Sequence, residues 1–188
     1  LVLPALLTQS PVSYASTADI QKTYGDGSFS LPAVSGGSGT GALKYSSSNT
    51  NVATVTQEGV VTIVGQGQAT LYVYRLGDDT YADSSSASLK LNVAKRPLTI
   101  SGISALDKTY DRTTTATLDT ASALLDGILP GETVTISYTL AKGTFADKHA
   151  GNDKTVTYSG FALSGTHAPT TTFSPSRPAP QQILPEKK

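Results

Sequence analysis

The sequence has no cysteine, methionine or tryptophan, and only two histidines among its 188 residues. Without cysteine there is no disulfide, no thiolate nucleophile and no Cys-ligated zinc or iron–sulfur site. Stability has to come from packing. His149 and His167 leave little material for general acid–base chemistry near neutral pH or for a His-rich metal site. Charge is scarce as well: 14 basic and 14 acidic residues make up 15% of the chain and cancel to zero. That balance gives no electrostatic footprint for nucleic acid or for an anionic membrane surface. The apolar opening, residues 1–7, lacks a basic leader, is interrupted by Pro4 and falls far short of the roughly 20 residues of a membrane-spanning helix. It reads as the end of a preceding element. With no methionine, the chain is read as an excerpt of a longer protein.

What is present is hydroxylic and β-forming. Ser and Thr supply about a quarter of the residues, with 17 Gly, 10 Pro and 38% hydrophobic residues, which suits sheets and tight turns better than helices. The chain also repeats itself. Ser10 to Asp26 aligns without gaps on Arg96 to Arg112 at an offset of 86 residues, bringing Pro11 onto Pro97 and Lys22-Thr23-Tyr24 onto Lys108-Thr109-Tyr110. Pro185 follows Pro97 by 88 residues and reads as the start of a third unit. A unit of this length matches a sandwich domain of about 100 residues. The expected division is residues 1–8 as the end of a preceding element, 9–95 and 96–184 as two domains, and 185–188 as the start of a next unit or a tail.

Alternation supplies the strands. Ala69, Leu71 and Val73 interleave with Thr70, Tyr72 and Tyr74, and Leu89, Leu91 and Val93 with Lys90 and Asn92. In the second unit Val134, Ile136, Tyr138 and Leu140 alternate with Thr133, Thr135, Ser137 and Thr139. Residues 121–125 read equally as a helical turn or a strand. No segment keeps helical periodicity over ten or more residues, so the expected fold class is all-β, two tandem immunoglobulin-like β-sandwich domains. Pro97 stiffens the short junction between them.

Particular motifs carry a resemblance. The stretch 45–73, with Tyr45-Ser46-Ser47, Val52-Ala53-Thr54-Val55, Gly59-Val60-Val61, Gly65-Gln66-Gly67 and Ala69-Thr70-Leu71, resembles bacterial Ig-like domains. Thr23-Tyr24-Gly25-Asp26 ahead of it makes the unit most similar to the MBG domain of the YGX type. The second unit resembles the YDG domain through Lys108-Thr109-Tyr110-Asp111, Gly143-Thr144-Phe145-Ala146-Asp147-Lys148, Lys154-Thr155-Val156 and Leu163-Ser164-Gly165. It departs from that pattern at Arg112, which replaces a glycine and is expected to alter a turn, at Glu132, and at Thr171-Thr172, where an aromatic anchor is lost. The resemblance implies tandem modules of large secreted, hemagglutinin-like bacterial surface proteins. It implies surface display with a part in adhesion or spacing, and no catalytic residue.

The candidate sites are few. Asp78, Asp79 and Asp83 could offer oxygens to calcium, although Asp is also an ordinary turn residue. Tyr45, Tyr72 and Tyr74 could form an aromatic platform for sugar rings, although cross-strand aromatic residues stabilise sheets without a ligand. Tyr24 and Tyr110 read as packing anchors. A Lys–Asn or Lys–Asp isopeptide bond at Lys108 or Lys154 needs a buried lysine, which sequence cannot place. No catalytic residue or cofactor site is expected, so the chain is read as a non-enzyme, with calcium the one cation considered. The expected role is a semi-rigid stalk outside a bacterial cell. Its partners are neighbouring repeats and host or matrix glycan or protein, with no nucleic acid and no membrane insertion. The alternative is a carbohydrate-binding accessory module of an extracellular enzyme or adhesin.

Overall fold

The computed structural model describes residues 5–165, 171–175 and 181–184. The chain divides into two units, Leu1–Lys95 and Arg96–Lys188. Among the described residues every regular element is a β-strand. His167 and residues 185–188 lie outside the described set.

Unit 1 contains β1 (Val12–Tyr14), β2 (Ile20–Thr23), β3 (Phe29–Ser30), β4 (Val34–Gly36) and β5 (Leu43–Ser47). They are followed by β6 (Ala53–Val55), β7 (Val60–Ile63), β8 (Gly67–Arg75) and β9 (Ala87–Ala94). The main sheet runs β2-β9-β8-β5, a second runs β3-β7-β6, and β1 pairs with β4. The period-2 pattern of β8 and β9 sets their shared register. Leu71 lies opposite Leu89 and Ala69 opposite Leu91, so one face of the β8–β9 pair is apolar. All four of these side chains are buried, and each buried leucine contributes about 1.5–3 kcal/mol. Val12 and Tyr14 of β1 close over Val73 and Leu89, with Ile20, Leu31, Val34, Leu43 and Tyr45 around them.

Unit 2 begins with β10 (Arg96–Ser101), β11 (Ser104–Ala105), β12 (Lys108–Thr109), β13 (Thr115–Ala116), β14 (Leu118–Asp119) and β15 (Leu124–Asp126). It continues with β16 (Val134–Ser137), β17 (Lys142–Phe145), β18 (Gly151–Lys154) and β19 (Val156–Ser159). The last strands are β20 (Ala162–Gly165), β21 (Thr171–Pro175) and β22 (Gln181–Leu184). These strands are short and distributed over several small sheets. Phe145 is the largest of the fully buried side chains, and it packs with Ala105, Ala116, Val156 and Ile183.

The internal repeat corresponds to a shared closing device. In unit 1 β2 runs parallel to the last strand, β9, with Lys22 opposite Val93. In unit 2 β12 runs parallel to the last strand, β22, with Lys108 opposite Ile183. Tyr24 donates its N–H to the Ala94 carbonyl and Tyr110 donates its N–H to that of Leu184, both at 2.9 Å. Leu184 therefore occupies the place of Ala94. The first strands also correspond. β1 pairs antiparallel with β4 and β10 with β15.

Three local expectations change. The ambiguous segment 121–125 enters β15 at Leu124, where Ile100 faces Leu125. The alternation from Val134 to Leu140 is strand only as far as Ser137. A turn closed by Ala141 N–H on the Tyr138 carbonyl leaves Leu140 72% exposed. Arg112 keeps the left-handed backbone, φ 67°, that its replacement of glycine was expected to alter. The side chain carries the steric cost of that conformation, about 1–2 kcal/mol.

Candidate functional site

The acidic loop after β8 is organised around backbone donors. Asp78 Oδ2 accepts the Thr40 N–H at 2.8 Å and its hydroxyl at 3.2 Å. Its Oδ1 accepts the N–H groups of Thr80 and Tyr81, both at 2.9 Å. Those bonds, Thr40 N–H first, hold the Asp78 carboxyl down at about 2, because they favour the charged form. Asp83 Oδ1 accepts the Gly77 N–H at 2.7 Å. Asp78, Asp79 and Asp83, the calcium candidates, are not brought together as a group: among the described residues no three His, Cys, Asp or Glu side chains are grouped to hold a metal. Beside this loop the buried amide of Gln9 ties three segments together, donating to the carbonyls of Leu76 and Ala82 and accepting the Gly39 N–H.

The tyrosine trio does not share a face. Tyr45 of β5 lies opposite Val73, so it turns inward and joins the core group around Val12, Tyr14 and Leu89. Burial raises its pKa above the ordinary phenol value, and burial first, with Tyr45 beside it, pushes Tyr14 up to about 12. Tyr72 and Tyr74 lie opposite Ser46 and Lys44, on the outward face. The correction follows from the two-residue period of a strand, which gives opposite neighbours a common face.

That outward face is the most regular polar surface of unit 1. Gln68 stands opposite Asn92, Thr70 opposite Lys90 and Tyr72 opposite Ser88, while Gln21 of β2 continues the Asn92 row. A shallow hollow on it is lined by Ser48, Gln68, Thr70, Lys90 and Asn92. Among the described residues no side-chain hydrogen bond or ion pair engages Lys44, Gln68, Tyr72, Tyr74, Lys90 or Asn92. Elsewhere the outward hydroxyls bond to one another across strands: Ser13 with Ser35 at 3.3 Å, Ser28 with Thr62 at 3.1 Å and Thr135 with Ser164 at 2.8 Å. The alternation of β8 and β9 already placed the β8 and β9 side chains outward. Adding Lys44 to them required the β5–β8 register.

Unit 2 ties two of its lysines, Lys108 and Lys154, to its own acids. The Lys108 ammonium donates to Asp111 Oδ1 at 2.7 Å and to the carbonyl and hydroxyl of Thr113 at 2.8 and 2.9 Å, which uses all three protons. Its nitrogen also stands 5.6 Å from the centre of the Phe145 ring. Lys154 pairs with Asp147 at 2.6 Å. Both lysine side chains are only 16% exposed, so the stems cover the core and the charged ends reach a carboxylate. The lysine bonds lower both acids, Asp111 to about 2 and Asp147 below the usual carboxylate range. These are hydrogen-bonded ion pairs between residues close in sequence, a different arrangement from the cross-linking site weighed for the same lysines.

Two family models match the chain. The YDG domain covers residues 94–172, and the intimin immunoglobulin-like domain covers residues 32–75. No curated protein matches the sequence. Among solved structures, domains 4–9 of the surface layer protein SbsC match at a TM-score of 0.34 and 15% identity, over 89% of this chain and 32% of that one. The EC1–3 segment of Drosophila N-cadherin matches at a TM-score of 0.32 and 11% identity, over 95% of this chain and 69% of that one. The chain thus spans about a third of the length of the surface-layer structure. One Ig-like match thus falls in unit 1 and the YDG match covers most of unit 2 of an all-β chain.

Proposed function

We propose that the chain is a non-catalytic spacer segment of a larger bacterial surface protein, a semi-rigid stalk that holds an adhesive or otherwise functional domain away from the cell. The observation that carries this reading is the repetition of one closing device. In each unit an early strand runs parallel to the last, at matching Lys and Tyr positions. Serial use of one module adds length without requiring a ligand site. Support also comes from the match of the intimin immunoglobulin-like domain to residues 32–75 of unit 1. Unit 1 is assigned to the MBG type within this reading, on its Thr23-Tyr24-Gly25-Asp26 motif.

One residue, Lys95, separates β9 from β10, and Pro97 fixes a backbone angle just beyond it. So short a connection leaves few free dihedrals, which is the basis for expecting a stiff joint. Small-angle X-ray scattering of the whole chain tests it. The expected maximum dimension is close to the sum of two units placed end to end, with a narrow distribution. A compact particle or a broad, flexible ensemble would overturn the stalk.

A further inference from the structure

We propose that the outward face of the β2-β9-β8-β5 sheet binds an acidic polysaccharide, with Tyr72 stacking on a sugar ring and Lys44 and Lys90 engaging its anionic groups. This goes beyond the spacer role and does not depend on the joint between the units.

The case starts from the register. Along β8 the outward positions are Tyr74, Tyr72 and Thr70, and their neighbours place Lys44 beside Tyr74 and Lys90 beside Thr70. Tyr72 is therefore the midpoint of a diagonal joining the two lysines. With about 3.4 Å per residue along a strand and about 4.8 Å between strands, the lysine backbones stand roughly 17 Å apart. A chain of sugar rings laid along that diagonal meets a cation, an aromatic ring and a second cation in turn.

Chemistry narrows the occupant. Tyr72 is 38% exposed and offers an apolar face with a polar tip, suited to the C–H face of a pyranose. Ser88 stands opposite it with a hydroxyl, and Gln68 and Asn92 place two amides further along the same face beyond Thr70 and Lys90, the groups that bond sugar hydroxyls. The uncommitted state of these side chains separates this face from the self-bonded hydroxyl pairs elsewhere on the molecule. Charge complementarity selects an acidic glycan: the outward strand positions carry two lysines and no carboxylate. Asp19, which immediately precedes β2, pairs with neither lysine. Two cations are few for a nucleic acid, whose affinity rests on releasing many counterions from neutralised phosphates.

The test titrates the full 188-residue chain with oligogalacturonate and with hyaluronan oligosaccharide by calorimetry and by amide chemical shifts. Methyl-esterified oligogalacturonate serves as the uncharged analogue and oligo-thymidylate as a second polyanion. The expected result is saturable binding of at least one acidic glycan, weakened by salt and centred on β8 amides. Tyr72→Ala, Lys44→Gln and Lys90→Gln should each weaken it by roughly tenfold, about 1.4 kcal/mol. Lys90→Arg should retain it. Failure of both acidic glycans to bind, equal binding of the methyl ester, equal or tighter binding of oligo-thymidylate, or indifference to the three substitutions would each overturn the proposal. Lys90 is exposed, so Lys90→Gln keeps the test valid if Tyr72→Ala lowers the melting temperature.

Discussion

The two units reach the same closing arrangement with different materials. Unit 1 relies on length: β8 has nine residues and β9 eight, and their ladder buries Leu71, Leu89 and Leu91 in one continuous apolar face. Unit 2 has no strand longer than six residues among those described. It gathers small residues around Phe145, with the Lys108 ammonium over the Phe145 ring, and ties Lys108 and Lys154 to acids. The difference teaches that the parallel pairing of an early strand with the last strand is the common requirement, while the means of holding it can be a long sheet or a compact cluster. It also locates the uncommitted polar groups. A long regular sheet leaves a flat outward face free, whereas unit 2 ties Lys108 and Lys154 to its own acids.

The largest effect should come from unit 2's dependence on one side chain. Phe145→Ala removes its most voluminous fully buried group and should cost about 3–5 kcal/mol. The unit 2 amides should lose exchange protection first while those of β8 and β9 stay protected. Simultaneous loss in both units would break the picture of two separate cores.

Next is Gly160→Ala. Gly160 has φ +80°, and an added Cβ would stand 1.8 Å from the Leu140 carbonyl oxygen. Positive φ alone costs about 1–2 kcal/mol, and the backbone contact adds to it. Thermal unfolding should show a fall confined to unit 2.

Acid should affect both units through different partners. Asp78 and Asp111 have carboxyls lowered from 3.8 to about 2. Each therefore adds stability that is complete above about pH 4 and drains away as pH falls through 2. Asp78→Asn should flatten that loss in unit 1 and Asp111→Asn in unit 2, read from melting curves between pH 5 and pH 2. Salt separates the mechanisms. The Lys108–Asp111 and Lys154–Asp147 pairs should weaken at about 1 M salt, while the backbone bonds of Asp78 should respond less.

The smallest effect is a gain. Arg112→Gly relieves a left-handed backbone and should stabilise unit 2 by up to about 1 kcal/mol, the extra freedom of glycine in the unfolded chain offsetting part of the relief. A lower melting temperature would mean that the Arg112 side chain makes a compensating contact.

Much of the fold was legible where local chemistry and tertiary context agree. The alternation of β8 and β9 could be read directly, since a two-residue period has one buried face whichever strand lies beside it. The paired Lys-Thr-Tyr motifs were legible as a repeat and as anchors. Their physical role, N–H donation to the last strand, needed a partner about 70 residues away. The run from Val134 to Leu140 misled for the opposite reason. Its pattern is that of a strand, but the chain turns after Ser137 and leaves Leu140 in solvent. At the candidate site, Tyr72 and Tyr74 could be assigned one face from their spacing, while Tyr45 could not, because the face of a residue on another strand depends on register.

The sequence by itself determined the all-β character, the repeat and the alternation, because composition and periodicity are properties of neighbouring residues. It also set the scarcity of Cys and His that limits the chemistry on offer. Only the tertiary structure decided which acids bond to backbone, which lysines are committed and which tyrosine turns inward. Those outcomes depend on strand register, which pairs residues far apart in the chain and which a shift of a single residue would reverse.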